Sequence, residues 1–70
     1  MSSKHLLVER KDKIATLVLN RPEVMNAMSE EMTEHMYDAI MQLRSDQDTR
    51  VVVIKGSGEH FCSGADVNLF

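Results

Sequence analysis

The sequence predicts an α/β fold in the order strand, strand, helix, strand. Three observations carry that prediction. Two short β-prone runs, Leu6 to Arg10 and Ile14 to Leu19, flank a polar stretch. Met32, Met36, Ala39, Ile40 and Leu43 recur at helical spacing. A final apolar run, Val51-Val52-Val53-Ile54, lies between a polar connector and a glycine-punctuated loop.

Each element has a local reason. Lys11-Asp12-Lys13 between the first two runs favours a hairpin. Asn20-Arg21-Pro22 ends the second strand, because proline cannot donate to a ladder. Glu23 to Met28 forms a loop. Ser29 is a good N-cap, and Glu30 and Glu31 fall in the first turn, where the helix dipole favours negative charge. The helix is expected from about Glu30 to Arg44, its apolar stripe covering the sheet. Ser45-Asp46-Gln47-Asp48-Thr49 is a polar connector. Val51 to Lys55 is the third strand. It does not alternate, so both of its faces are expected to be buried.

The bulk numbers narrow the function. A chain of 70 residues makes one small domain at most, with marginal stability on its own. Cys62 is the single cysteine, so no internal disulfide is available. His5, His35 and His60 are scattered and lack metal-ligand spacing. The net charge is −3 with no basic stripe, which argues against nucleic acid. No apolar run is long enough to span a bilayer, and the N-terminus lacks a signal-peptide core. A soluble, cytoplasmic protein is the expectation.

The glycine-punctuated stretch Gly56 to Phe70 leaves the end of the third strand, where open α/β sheets place ligands. Dinucleotide binding fits poorly, since Phe61 stands where the third glycine of that fingerprint belongs. A phosphate loop fails for want of a Gly-Lys-Ser/Thr triplet. Cys62 as a nucleophile needs a base, and the nearness of His60 in sequence does not make a pair, so Cys62 reads better as a small buried hydrophobe. Gly64-Ala65-Asp66 could turn the backbone so that one N–H faces a cleft. Gly64 permits the turn, and small Ala65 leaves room for an acyl group. Asn26 reads as a loop residue that bonds nearby backbone, not as a base.

Taken together, three segments resemble the enoyl-CoA hydratase/isomerase (crotonase) family. They are Ile14 to Leu19 with Asn20-Arg21-Pro22; Met25-Asn26-Ala27-Met28-Ser29 with the helix; and Val51-Val52-Val53-Ile54-Lys55-Gly56-Ser57-Gly58 with Phe61-Cys62-Ser63-Gly64-Ala65-Asp66-Val67. The resemblance runs from about Leu7 to Asn68. It implies the first strand–strand–helix turn of a crotonase-like ββα superhelix, with 1–70 as the N-terminal part of a single domain that is cut short. It implies an acyl-CoA substrate, no further cofactor and no metal, and a homotrimer or hexamer at full length.

Carried over by position, the resemblance implies that the Ala65 N–H, set by Gly64, is one of two oxyanion donors. Such a donor favours the transition state by about 3 kcal/mol. It implies coenzyme-A contacts at Glu23, Val24, Met25, Ser63, Ala65, Asp66 and Val67, largely through backbone atoms. Plainer roles stay open at this point: Asp66 as a helix cap, Ser63 in a turn, Met25 in packing. The family's second donor and its catalytic glutamates have no counterpart in this chain. Glu30, Glu31 and Glu34 are accounted for at the helix start. Hydration of a 2-enoyl-CoA or double-bond isomerisation is the expected reaction, with the 70-residue chain inactive alone. A non-catalytic module or pseudoenzyme docking on longer family members is the alternative.

Overall fold

The computed structural model describes residues 5–66. Strand β1 spans Leu6–Lys11 and β2 spans Ile14–Leu19. A 3-10 turn at Pro22–Val24 leads to helix α1, Glu30–Arg44, and then to β3, Val51–Gly56. The three strands form one sheet in the order β1-β2-β3. The expected fold class and element order are found.

β1 and β2 pair antiparallel, from Leu6 opposite Leu19 to Lys11 opposite Ile14. The turn is therefore tighter than the polar stretch implied, because Lys11 joins the ladder. Asp12 takes a φ of 58°, a left-handed conformation that aspartate tolerates better than most residues. β2 and β3 pair parallel, from Ile14 beside Val51 to Leu19 beside Gly56. Parallel neighbours need a crossover connection, and α1 provides it. The carboxyl ends of β2 and β3 consequently lie side by side, and both following loops leave from the same edge.

The start of α1 is fixed by Ser29, whose Oγ accepts the Met32 N–H at 3.0 Å. The same Oγ lies 2.7 Å from His5 Nδ1, tying the helix start to the entry of β1. Glu30 and Glu31 occupy the first turn and Arg44 the last, each suited to the helix dipole. Ser29→Ala is expected to cost about 1 kcal/mol of stability. A urea melt of the native protein checks this, and an unchanged midpoint would contradict the cap.

The core lies between α1 and one face of the sheet. Leu6, Ala15, Leu17 and Leu19 meet Met32, Ala39 and Leu43, with Val8, Met28, Met36 and Cys62 packed around them. Ile40, expected in this stripe, is instead 45% exposed. It sits at the rim of the buried face, beside Leu43, where α1 looks toward β3.

The expectation for β3 is also corrected. Val51, Val52, Val53 and Ile54 are each 40–50% exposed. The reason is topological: α1 packs on β1 and β2, and no described element lies over the edge strand β3. By register, Val52 and Ile54 share the helix side with Ala15 and Leu17. With Ile40, Leu43 and Arg44 they line an open cleft of about 380 Å³.

The connector into β3 is held by Asp46. Its carboxylate accepts from Thr49 Oγ1 at 2.6 Å and from the Asp48 N–H at 3.1 Å, and lies 3.0 Å from Arg10 Nη1. The Thr49 bond above all, then the Asp48 N–H, lower the pKa of this carboxyl against an opposing desolvation, with the Arg10 charge adding to the lowering. Among the described residues, no helix is long and apolar enough to cross a membrane.

Candidate functional site

The site is built from two loops. One leaves β2 and runs from Asn20 to Ser29; the other leaves β3 and runs from Ser57 to Asp66. They are stitched together from the sheet outward. The Ser57 N–H continues the ladder to the Leu19 carbonyl at 2.9 Å, and Ser57 Oγ reaches Asn20 Oδ1 at 3.1 Å.

Asn26 is the central fastener. It is fully buried, and its backbone is left-handed at φ 56°, directly after Met25 at φ 54°. Asparagine accepts that conformation more readily than most residues. Its Oδ1 accepts the Arg21 N–H at 2.7 Å. Its Nδ2 donates to the Ser57 carbonyl at 3.0 Å and to the His60 carbonyl at 2.7 Å. The local bond to Arg21 was legible in the sequence. The two long-range bonds were not.

Arg21 makes a second fastening. Its Nη1 donates to the Ala27 carbonyl at 2.8 Å and to Asp66 Oδ2 at 3.0 Å. Both partners of this ion pair are mostly buried, with side chains 14% and 16% exposed. Sequence reasoning missed Arg21. The only available signal was an arginine followed by proline on a strand end, which by itself says nothing of a partner 45 residues away.

Farther out, the two loops run alongside each other. The Ser63 N–H donates to the Met25 carbonyl at 3.1 Å. The Met28 N–H donates to the Gly64 carbonyl at 2.8 Å, and the Asp66 N–H donates to the Met28 carbonyl at 2.9 Å. This is a parallel bridge between Met28 and Ala65. In a parallel ladder, evenly spaced bonds flank the bridged residue, so its own N–H and carbonyl face the other way. The Ala65 N–H thus points away from the first loop, and among the described residues nothing accepts from it. Ala65 itself is exposed. Gly64, at φ 115°, supplies a backbone angle that other residues rarely adopt, and a Cβ there would meet only open space.

The expected contact residues separate into two groups. Met25, Ser63, Gly64, Ala65 and Asp66 are drawn together by the bonds above. Glu23 and Val24 lie on the exposed 3-10 turn and make no hydrogen bond to residues 63–66. Val67 lies outside the described residues. Of the plainer roles, Met25 does not pack away, since it is 49% exposed. Asp66 places one carboxylate oxygen on Arg21, and its reading as a helix cap falls on residues outside those described.

Two other chemistries find little support. Cys62 is half-buried against the core, and its Sγ accepts the Gly64 N–H at 3.4 Å. His60 is exposed, and its carbonyl is taken by Asn26. Among the described residues, no group of three His, Cys, Asp or Glu side chains could hold a metal ion.

Residues 9–69 match the sequence model of the enoyl-CoA hydratase/isomerase family. The chain is 39% identical to a mitochondrial 3-hydroxyisobutyryl-CoA hydrolase of Danio rerio over 96% of its own length and 19% of that protein's. It is 32% identical to a crotonyl-CoA hydratase of Syntrophomonas wolfei, again over 96% of this chain and 26% of the relative. The chain therefore spans about a quarter or less of the curated relatives it matches. Among solved structures it resembles enoyl-CoA hydratase from Mycobacterium tuberculosis H37Rv with a TM-score of 0.88. That match is 33% identical and covers 91% of this chain and 29% of the solved one.

Proposed function

The chain belongs to the enoyl-CoA hydratase/isomerase family, and we propose that it forms part of an acyl-CoA site in which the Ala65 N–H donates to the thioester oxygen. The observation that carries this is the outward-facing Ala65 N–H, which nothing among the described residues accepts and which is held by bonds to the residues on either side of it. A thioester oxygen gains negative charge when an enolate or tetrahedral species forms on it. A donor already aimed there is worth more in the transition state than in the ground state. Gly64 sets the turn. Ser63, Asp66 and the exposed residues Glu23, Val24 and Met25 offer backbone groups and apolar surface to the coenzyme, and Val67 joins them by the resemblance alone. Asp66 is not the proposed base, because Arg21 holds its carboxylate.

Hydration of a 2-enoyl-CoA or double-bond isomerisation is the first reaction proposed. Thioester hydrolysis is the second, favoured by the likeness to 3-hydroxyisobutyryl-CoA hydrolases. Both need the same oxygen stabilised, which is why this segment serves either. The test uses the native protein that carries this chain. Butanoyl-CoA is titrated by calorimetry, and turnover of crotonyl-CoA and of 3-hydroxyisobutyryl-CoA is measured separately. Saturable binding with turnover of one substrate is expected, and which one distinguishes the reactions. Absence of butanoyl-CoA binding would sink the proposal.

A further inference from the structure

We infer that Asn26 is a positioning residue for the Ala65 N–H, setting its direction by locking the two site loops together. This rests on the proposal that the Ala65 N–H meets the thioester oxygen. Three observations carry it. Asn26 is fully buried, yet both of its amide hydrogens and its amide oxygen are engaged. All three bonds go to backbone groups, one on the β2 loop and two on the β3 loop. The two carbonyls it holds, on Ser57 and His60, pin the start of the loop that carries Ala65.

The second link is the backbone on either side of Asn26. Met25 gives its carbonyl to Ser63, and Met28 bonds Gly64 and Asp66. The left-handed angles at Met25 and Asn26 turn this stretch toward the second loop. Ala65 is the residue between two of those bonds, so a rotation of the 25–28 segment re-aims its N–H. Asn26 touches no reacting atom in this account. It acts through Ala65.

Two substitutions separate the parts. Asn26→Gly keeps the left-handed backbone free of strain and deletes all three side-chain bonds. Asn26→Asp keeps the shape and the acceptor but faces the Ser57 and His60 carbonyls with oxygen in place of a donor. A third variant, Leu43→Ala, weakens the core far from the site and serves as the structural control.

The readout is the infrared stretch of the thioester carbonyl in bound butanoyl-CoA labelled with carbon-13 at that carbon. A hydrogen bond from Ala65 lowers this frequency relative to the free thioester. Asn26→Gly and Asn26→Asp are expected to lose most of that lowering, while Leu43→Ala keeps it. Replacing Ala65 by lactate, which exchanges its N–H for an ester oxygen, is measured beside them. If the ester leaves the lowered frequency unchanged, the role proposed for Ala65 falls, and the inference with it. If the ester abolishes the lowering but both Asn26 variants retain it, the inference about Asn26 alone is overturned. Loss of the lowering in Leu43→Ala to the same extent, or failure of both Asn26 variants to fold, would make Asn26 a general stability residue and likewise overturn it.

Discussion

With lactate in place of Ala65, kcat of the native protein on the acyl-CoA substrate proposed for it is expected to fall by about 10²–10³-fold. KM is expected to change far less. The N–H of Ala65 faces away from Met28 and makes no bond within the described chain, so its removal subtracts no internal contact. What is lost is a donor whose partner becomes more negative as the reaction proceeds. An interaction of that kind appears in kcat and not in uniform binding. The ester has one side effect. It makes the Gly64 carbonyl a poorer acceptor for the Met28 N–H, now 2.8 Å away. A thermal melt measures that structural share. Equal losses in kcat and stability, or a rise in KM with kcat intact, would contradict the role given to Ala65.

The second large effect is expected at Gly56. This residue closes β3, and the loop after it folds back across its Cα. A methyl group there would sit within 2.5 Å of the Phe61 carbonyl oxygen and 2.7 Å of Asn26 Nδ2, and closer still to the His60 carbonyl oxygen. Two of these are backbone atoms, which cannot rotate aside as a side-chain end could. The loop must move, or the strand must. Gly56→Ala is therefore expected to destabilise by about 1–3 kcal/mol, as overpacking does. It is also expected to weaken acyl-CoA binding, because the displaced segment contains both carbonyls that Asn26 holds. Gly64→Ala is a useful contrast. A Cβ there meets nothing, and only the φ of 115° is penalised. Denaturant melts together with butanoyl-CoA titration check both, and a fully stable Gly56→Ala protein would contradict the packing described.

Much of the scaffold was legible in the residues themselves. β2 ends where Asn20-Arg21-Pro22 interrupts the β-prone run, and α1 begins at the Ser29 cap, because both signals act within a few residues. β3 was legible as a strand, but its burial was not. An unbroken Val-Val-Val-Ile run shows that both faces can be covered, and whether they are depends on what packs above them. Here α1 is spent on β1 and β2. Ile40 fails for a related reason: helical spacing places it near the stripe, and the width of the contact decides its exposure.

The site divides in the same way. Gly64 and Ala65 could be singled out from local turn chemistry and from resemblance. The bonds that hold them could not, since Asn26 reaches residues 31 and 34 positions away, and Arg21 reaches Asp66. These contacts exist because parallel pairing brings the carboxyl ends of β2 and β3 side by side. They belong to topology, and a polar side chain in a loop carries no mark of its distant partner.

The central claim is that the Ala65 N–H meets the oxygen of an acyl-CoA thioester. Its most direct test is the amide proton resonance of Ala65 in the native protein, followed during titration with two ligands. One is butanoyl-CoA; the other is S-butyl-CoA, a thioether of nearly the same shape without the carbonyl oxygen. A downfield shift with the thioester and little response to the thioether is the result expected. The same response to both ligands, or none to either, would contradict it.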